Sequence, residues 1–100
     1  VEILANNMLV SIYDAHVLVN IGAMHAYISK EFILAYGFVP EVVNHYMMFV
    51  NTPLGGGSIL NQICRNVDVV IEAVHMSIDM LVLPIFDFDI VLGMNWLNKY

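Results

Sequence analysis

Short apolar runs, broken by turn-forming residues about every ten positions, constrain this chain more than any other feature of its sequence. Runs this brief cannot build helices long enough to share a core, but they suit strands. In residues 75–80, His75, Ser77 and Asp79 alternate with Met76, Ile78 and Met80, which gives a strand one wet and one dry face. The expected fold class is all-β, as a barrel or a sandwich.

Read along the chain, residues 8–13 and 16–19 form strands around a turn at Asp14 and Ala15, and Val19 runs into a loop of Asn20, Ile21, Gly22 and Ala23. Ser29 caps a short peripheral helix over residues 30–36, with Gly37 as its left-handed stop and Pro40 barring continuation. Residues 42–50 are strand-like. The next stretch, Asn51 followed by Thr52, Pro53, Leu54, Gly55, Gly56, Gly57 and Ser58, is the richest in turn residues and reads as a hairpin with a mobile glycine tip. Strands follow at 67–71, 76–83 and 86–92, and Gly93 turns the chain into a last amphipathic turn or two over residues 94–100. There is no internal repeat.

At 100 residues the chain suits one domain. Its apolar fraction of 60% exceeds the ~45–50% of ordinary soluble chains. Such a surplus calls for strands buried on both faces, an interface with another copy, or both. A formal charge of −6, with only Lys30, Arg65 and Lys99 as cations, argues against nucleic-acid binding. The longest charge-free stretch, 42–64, is broken by polar residues, proline and glycines, so no membrane span is expected. No signal peptide is visible, and Cys64 has no internal partner for a disulfide. These features point to an intracellular, cytoplasmic protein. With no Met at position 1, the chain reads as a domain cut from a longer polypeptide.

Several chemical motifs can be set aside. Gly55, Gly56 and Gly57 are not followed by the Lys-Ser/Thr of a phosphate loop. His16, His25, His45 and His75 stand too far apart for zinc spacing, so neither a metal nor a cofactor is expected. Cys64 has no nucleophile signature and reads as a small buried side chain. Met47 and Met48 beside Phe49 read as packing residues at the hairpin root, and Trp96 and Leu97 as anchors of the terminal helix. Asp87 and Asp89 lie two apart on the expected strand, hence on one face like a carboxylate pair.

Two segments carry a family resemblance. Val17-Leu18-Val19-Asn20-Ile21-Gly22-Ala23 and Ile90-Val91-Leu92-Gly93-Met94-Asn95-Trp96-Leu97 together resemble the two halves of a retropepsin-like aspartic protease subunit. In that family the first segment reads apolar-apolar-Asp-Ser/Thr-Gly-Ala. Ile21-Gly22-Ala23-Met24-His25-Ala26-Tyr27-Ile28-Ser29 is similar to the gypsy-type retrotransposon pattern, Val50-Asn51-Thr52-Pro53-Leu54-Gly55-Gly56 to its flap, and the run from Asp87 to Leu97 to its carboxy-terminal signature. Asp is more usual there at position 95.

The resemblance implies a closed retropepsin-like barrel with a flap hairpin and one or two short helices, spanning residues 1–100 as one domain of a polyprotein. It implies a homodimer, commonly knit by terminal strands, that holds a peptide or polyprotein substrate between paired site loops and flaps. The site residues are then Asn20, Ile21, Gly22 and Ala23, with Thr52, Pro53, Leu54, Gly55, Gly56 and Gly57 as the flap. For Asp87 and Asp89 the resemblance implies structural or subsite roles. Asn20 stands where the catalytic Asp belongs, and Ile21 replaces a Ser or Thr that hydrogen-bonds across the dimer axis. The family activity is polyprotein proteolysis, and this copy is expected to be inactive. The alternative is a non-enzymatic peptide-binding or dimerisation module derived from such a protease.

Overall fold

The alternation around Met76, Ile78 and Met80 folds as expected: all three are buried, while His75, Ser77 and Asp79 are more exposed. They belong to a long strand in the computed structural model, which describes residues 2–10, 13–43, 48–51, 57–71, 73–84 and 87–99, with 2–8, 48–51 and 57–60 described through their backbone. The elements are β1 (Glu2–Val10), β2 (Tyr13–Asn20), β3 (Ala26–Ser29), α1 (Lys30–Tyr36), β4 (Glu41–Val42), β5 (Met48–Asn51), β6 (Gly57–Leu60), β7 (Gln62–Ile71), β8 (Val74–Leu83), β9 (Ile90–Leu92) and α2 (Met94–Lys99).

The main sheet runs β1-β2-β9-β3-β8-β7-β4, and β1 also pairs with β7. That extra pairing, Leu9 opposite Val70 and Val10 opposite Val69, closes six strands into a barrel and leaves β4 as an appendage on β7. β9 lies parallel to β2 and antiparallel to β3, so the last strand of the chain is threaded between two early ones. β5 and β6 form a separate antiparallel pair, with Asn51 opposite Gly57, in agreement with the expected hairpin. Of the expected tip, Thr52, Pro53, Leu54, Gly55 and Gly56 lie outside the described residues, as do the side chains of Met47, Met48 and Phe49.

The apolar surplus is absorbed on both faces of the central strands. Val17, Val19, Ala26, Ile28, Met80, Val82, Ile90 and Leu92 join the main core cluster. Their neighbours Leu18, Tyr27, Leu81, Leu83 and Val91 form a second cluster on the opposite face. Period-two geometry makes this automatic once a strand is apolar at every position. Each Val, Leu, Ile or Met among them contributes roughly 1.5–3 kcal/mol when fully buried.

Local chemistry sets α1. Ser29 Oγ accepts from the Phe32 backbone N–H at 3.0 Å, and Gly37 closes the helix at φ 74° with its N–H on the Ile33 carbonyl at 2.9 Å. Although brief, the helix buries Phe32 and Ile33 in the main core, and Tyr13 stacks on Tyr36 at 4.1 Å between ring centres. Trp96 and Leu97 pack against the same core, as anchors should.

Three sequence expectations are corrected. No turn falls at Asp14 and Ala15, which are paired strand residues opposite Leu9 and Met8. Asp14 is an outward-facing strand residue and Ala15 an inward, buried one, so the acid's turn preference yields to the alternation of β2. The strand expected over 86–92 shrinks to β9, because Asp89 is diverted into loop hydrogen bonds; Asp87 and Asp89 therefore share no strand face. The strand-like stretch 42–50 is likewise divided, with β4 ending at Val42 and β5 starting at Met48.

Candidate functional site

Asn20 ends β2 and is buried, at 8% exposure, where the chain leaves the sheet. Its side-chain Oδ1 accepts from the Gly22 N–H at 2.8 Å, and its own carbonyl accepts from the Ala23 N–H at 3.1 Å. The two bonds fold residues 20–23 into a tight turn. They also fix which amide atom is which, since only the oxygen can face the Gly22 donor. Asn20, Ile21, Gly22 and Ala23 thus share one turn. Ala23 is buried, while Ile21 (46%) and Met24 (68%) hold apolar side chains out toward solvent.

The turn is clamped from below by the carboxy-terminal segment. Met94 N–H donates to the Ala23 carbonyl at 2.7 Å, and Asn95 N–H to the Met24 carbonyl at 3.2 Å. Gly93 makes this approach possible: a Cβ there would stand 2.2 Å from the His25 carbonyl oxygen and 2.6 Å from that of Ala23. No side chain fits that gap without moving backbone. Gly93 was read in the sequence as a turn residue; its position between an apolar run and a helix start was the available signal for a close approach.

A second clamp holds the far ends of the same strands. The Asp89 carboxylate Oδ2 accepts from the His16 N–H at 2.9 Å, the Asp89 N–H donates to the His16 carbonyl at 2.9 Å, and the Asp89 carbonyl accepts from the Ser29 N–H at 2.8 Å. One residue therefore ties β2 and the end of β3 to the start of β9. Of the roles in prospect for Asp87 and Asp89, a structural one holds for Asp89, while Asp87 is exposed.

The chemical inventory around the turn is short. Residues 20–25 include no acid, no thiol and no lysine. Tyr27, buried beneath the turn, has its hydroxyl pKa pushed up by desolvation, and so does the thiol of buried Cys64 on β7. Both stay protonated at neutral pH. Among the described residues no group of three His, Cys, Asp or Glu side chains could hold a metal ion, and no helix is long and apolar enough to cross a membrane. Gly57, the last expected flap residue, opens β6; the rest of the flap lies outside the described residues. As it stands, the turn can present one neutral amide and two apolar side chains from a rigid base.

Comparison with known proteins agrees with this geometry. A family model described as retroviral aspartyl protease matches residues 1–100. No curated protein sequence matches the chain. Among solved structures, the retroviral protease-like domain of Ddi1 from Leishmania major superposes with a TM-score of 0.73 at 15% identity, covering 99% of this chain and 78% of that one. EIAV protease in complex with the inhibitor HBY-793 gives 0.70 at 16% identity, covering 96% and 86%. The solution structure of simian foamy virus (mac) protease gives 0.60 at 15%, covering 97% and 98%. Identities this low speak for the closed barrel alone.

Proposed function

The chain belongs to the retroviral aspartyl protease family, and from that premise we propose that it is the protease domain of a gypsy-type retrotransposon polyprotein whose catalytic aspartate position is held by Asn20, leaving this copy without peptidase activity. The observation that carries the reading is the turn itself. A buried residue at the end of β2 bonds the Gly22 N–H, and Gly93 lies against the Ala23 and His25 carbonyls of the same loop, which supports reading that loop as the one a second copy would meet. Each copy of an intracellular homodimer would then contribute residue 20 to one centre above which the flaps close on a peptide.

Aspartic proteolysis requires two carboxylates that share one proton. One takes a proton from the attacking water while the other delivers its proton to the scissile carbonyl oxygen. The pair works because two adjacent carboxylates cannot both ionise. Asn20 offers an amide N–H₂ that does not release a proton and an oxygen too weakly basic to take one. A pair of such residues can hydrogen-bond water or a peptide carbonyl, and can activate neither. Ile21 removes a further hydroxyl from the centre.

The exposure of Ile21 and Met24 favours a second reading, that the domain has become a peptide-binding or dimerisation module, because it leaves two apolar side chains in water unless something covers them.

One cleavage assay separates the readings. The chain, Asn20→Asp, and Asn20→Asp with Ile21→Ser are compared at mildly acid and neutral pH, with and without pepstatin, alongside sedimentation to record dimerisation. Asp retains the acceptor that bonds the Gly22 N–H, so the turn survives the change. Pepstatin-sensitive cleavage only after restoring Asp supports the inactive-protease reading. Cleavage by the unaltered chain sinks it. A folded dimer that binds peptide while all three variants stay silent favours the module.

A further inference from the structure

An apolar cavity of the fold shares no residue with the residue-20 turn. Between α1 and the β7–β8 sheet lies a cavity of about 280 Å³, lined by Lys30, Ile33, Leu34, Phe38, Gln62 and Val82 with Gly37 and Pro40 at its edge. Ile33 and Val82 are buried and form its floor, whereas Lys30 and Leu34 stand exposed at its mouth. We propose that this cavity docks a peptide segment of a partner protein, one that carries a large apolar side chain next to a single carboxylate.

Three observations specify that occupant. The first is size: the volume falls just under the ~300–1,000 Å³ of small-molecule sites and suits one bulky side chain inserted as an anchor. The second is what surrounds the opening. Leu34 (76%), Val39 (87%) and Val42 (52%) are exposed, Val39 between two lining residues and Val42 opposite Gln62 in the β4–β7 pairing. A small molecule confined to the cavity would leave Val39 and Val42 in water. A peptide laid across the mouth covers them as it inserts its anchor.

The third is charge. Of the three cations, Arg65 is paired with Glu41 at 3.1 Å and Asp79 at 3.4 Å, and Lys99 Nζ donates to the Ser77 carbonyl at 2.9 Å. Lys30 has no carboxylate within ion-pair distance among the described residues, on a chain whose formal charge is −6. A partner carboxylate beside the anchor completes it. The Gln62 amide on the opposite side of the mouth can bond the peptide backbone. One carboxylate suits this surface, whereas a strongly acidic segment would be repelled by the chain's net charge.

The test is a titration of the isotope-labelled chain with acetyl-Gly-Phe-Leu-Asp-Gly-amide, followed by backbone amide shifts, with Asn-for-Asp and Lys-for-Asp peptides and octanoate as comparison probes. The expected result is saturable shifts confined to residues 30–42, 62 and 82, with affinity about three- to fivefold weaker for the Asn peptide and weaker again for the Lys peptide. Leu34→Asp, a substitution at an exposed position that leaves the fold intact, weakens binding about tenfold or more. Lys30→Glu reverses the ranking of the Asp and Lys peptides. Shifts centred elsewhere, no shift at millimolar peptide, or equal binding of the three peptides overturns the proposal. So does saturable filling of the cavity by octanoate with none by peptide, which would make it a lipid-like ligand site.

Discussion

At the crossover of β2, β9 and β3 none of the described backbone takes a positive φ, yet there is no room to add an atom, because Gly93 lies against the carbonyls of Ala23 and His25. Along the β7–β8 hairpin the reverse holds. Ala73, in the exposed turn, sits at φ 65°, and Asn66, at the register shift between Cys64 and Val67, at φ 52°. The contrast separates two demands on a backbone. A close approach dictates which atoms are allowed and therefore shapes a site; a left-handed residue only raises the energy of a turn that any small residue can make.

The sharpest way to break this contrast is Gly93→Ala. Overpacking typically costs about 1–3 kcal/mol, and here the obstructing atoms are backbone, so about 3 kcal/mol or failure to fold is expected in urea denaturation. Hydrogen exchange should quicken at the Met94 and Asn95 amides, which the clamp now protects. A wild-type midpoint would mean that the crossover has slack after all.

Ala73→Gly should act in the opposite direction. Relief of the left-handed conformation is worth about 1–2 kcal/mol, against about 0.5–1 kcal/mol for the greater freedom of glycine in the unfolded chain. A net gain of about 0.5–1 kcal/mol is expected, readable as a raised melting temperature. Asn66→Gly should gain less, since Asn tolerates this region and the Asn66 N–H is already held by Asp79 Oδ1 at 2.8 Å. Equal gains at both positions would show that the hairpin strain is shared rather than local.

The smallest effect is a pH dependence arising on the same hairpin. Burial pushes the Cys64 thiol up, so the folded chain keeps a proton that the unfolded chain releases above about pH 8.5. Stability is therefore full below that pH and declines as pH rises through it. Cys64→Ala should lower stability throughout but flatten this slope. The comparison belongs below about pH 10, where Tyr27, also pushed up, begins to add a decline of the same sign.

What could be read in the sequence follows the range of the forces involved. The helix from Ser29 to Gly37 was legible because its start, stop and core residues lie within nine positions and act on each other directly. The alternation of β8 was legible for the same reason. Asp14 misled because its turn preference is local, whereas its partner, Leu9, is set by a register that the whole of β1 and β2 determines. The start of β1 at Glu2 was missed because Asn6 and Asn7 interrupt the apolar pattern. Asn20, Ile21, Gly22 and Ala23 were singled out through family resemblance, and they share one turn. Asp89 acquires its role from contacts with His16 and Ser29, sixty or more positions away, and no local pattern announces those.

The threading of β9 between β2 and β3 also gives the site a position in time. As the chain leaves the ribosome, residues 13–29 emerge early, and β1 can zip onto β2 while the turn at Asn20 still has nothing beneath it. β3 gains its first neighbour when β8 arrives. The passage of residues 89–95, which follow every other strand of the barrel, fills the gap between β2 and β3 and brings Gly93 under Ala23. A nascent chain can thus carry every residue of the turn and still lack the clamp beneath it, so that whatever residue 20 does is withheld until β9 and Gly93 have been made.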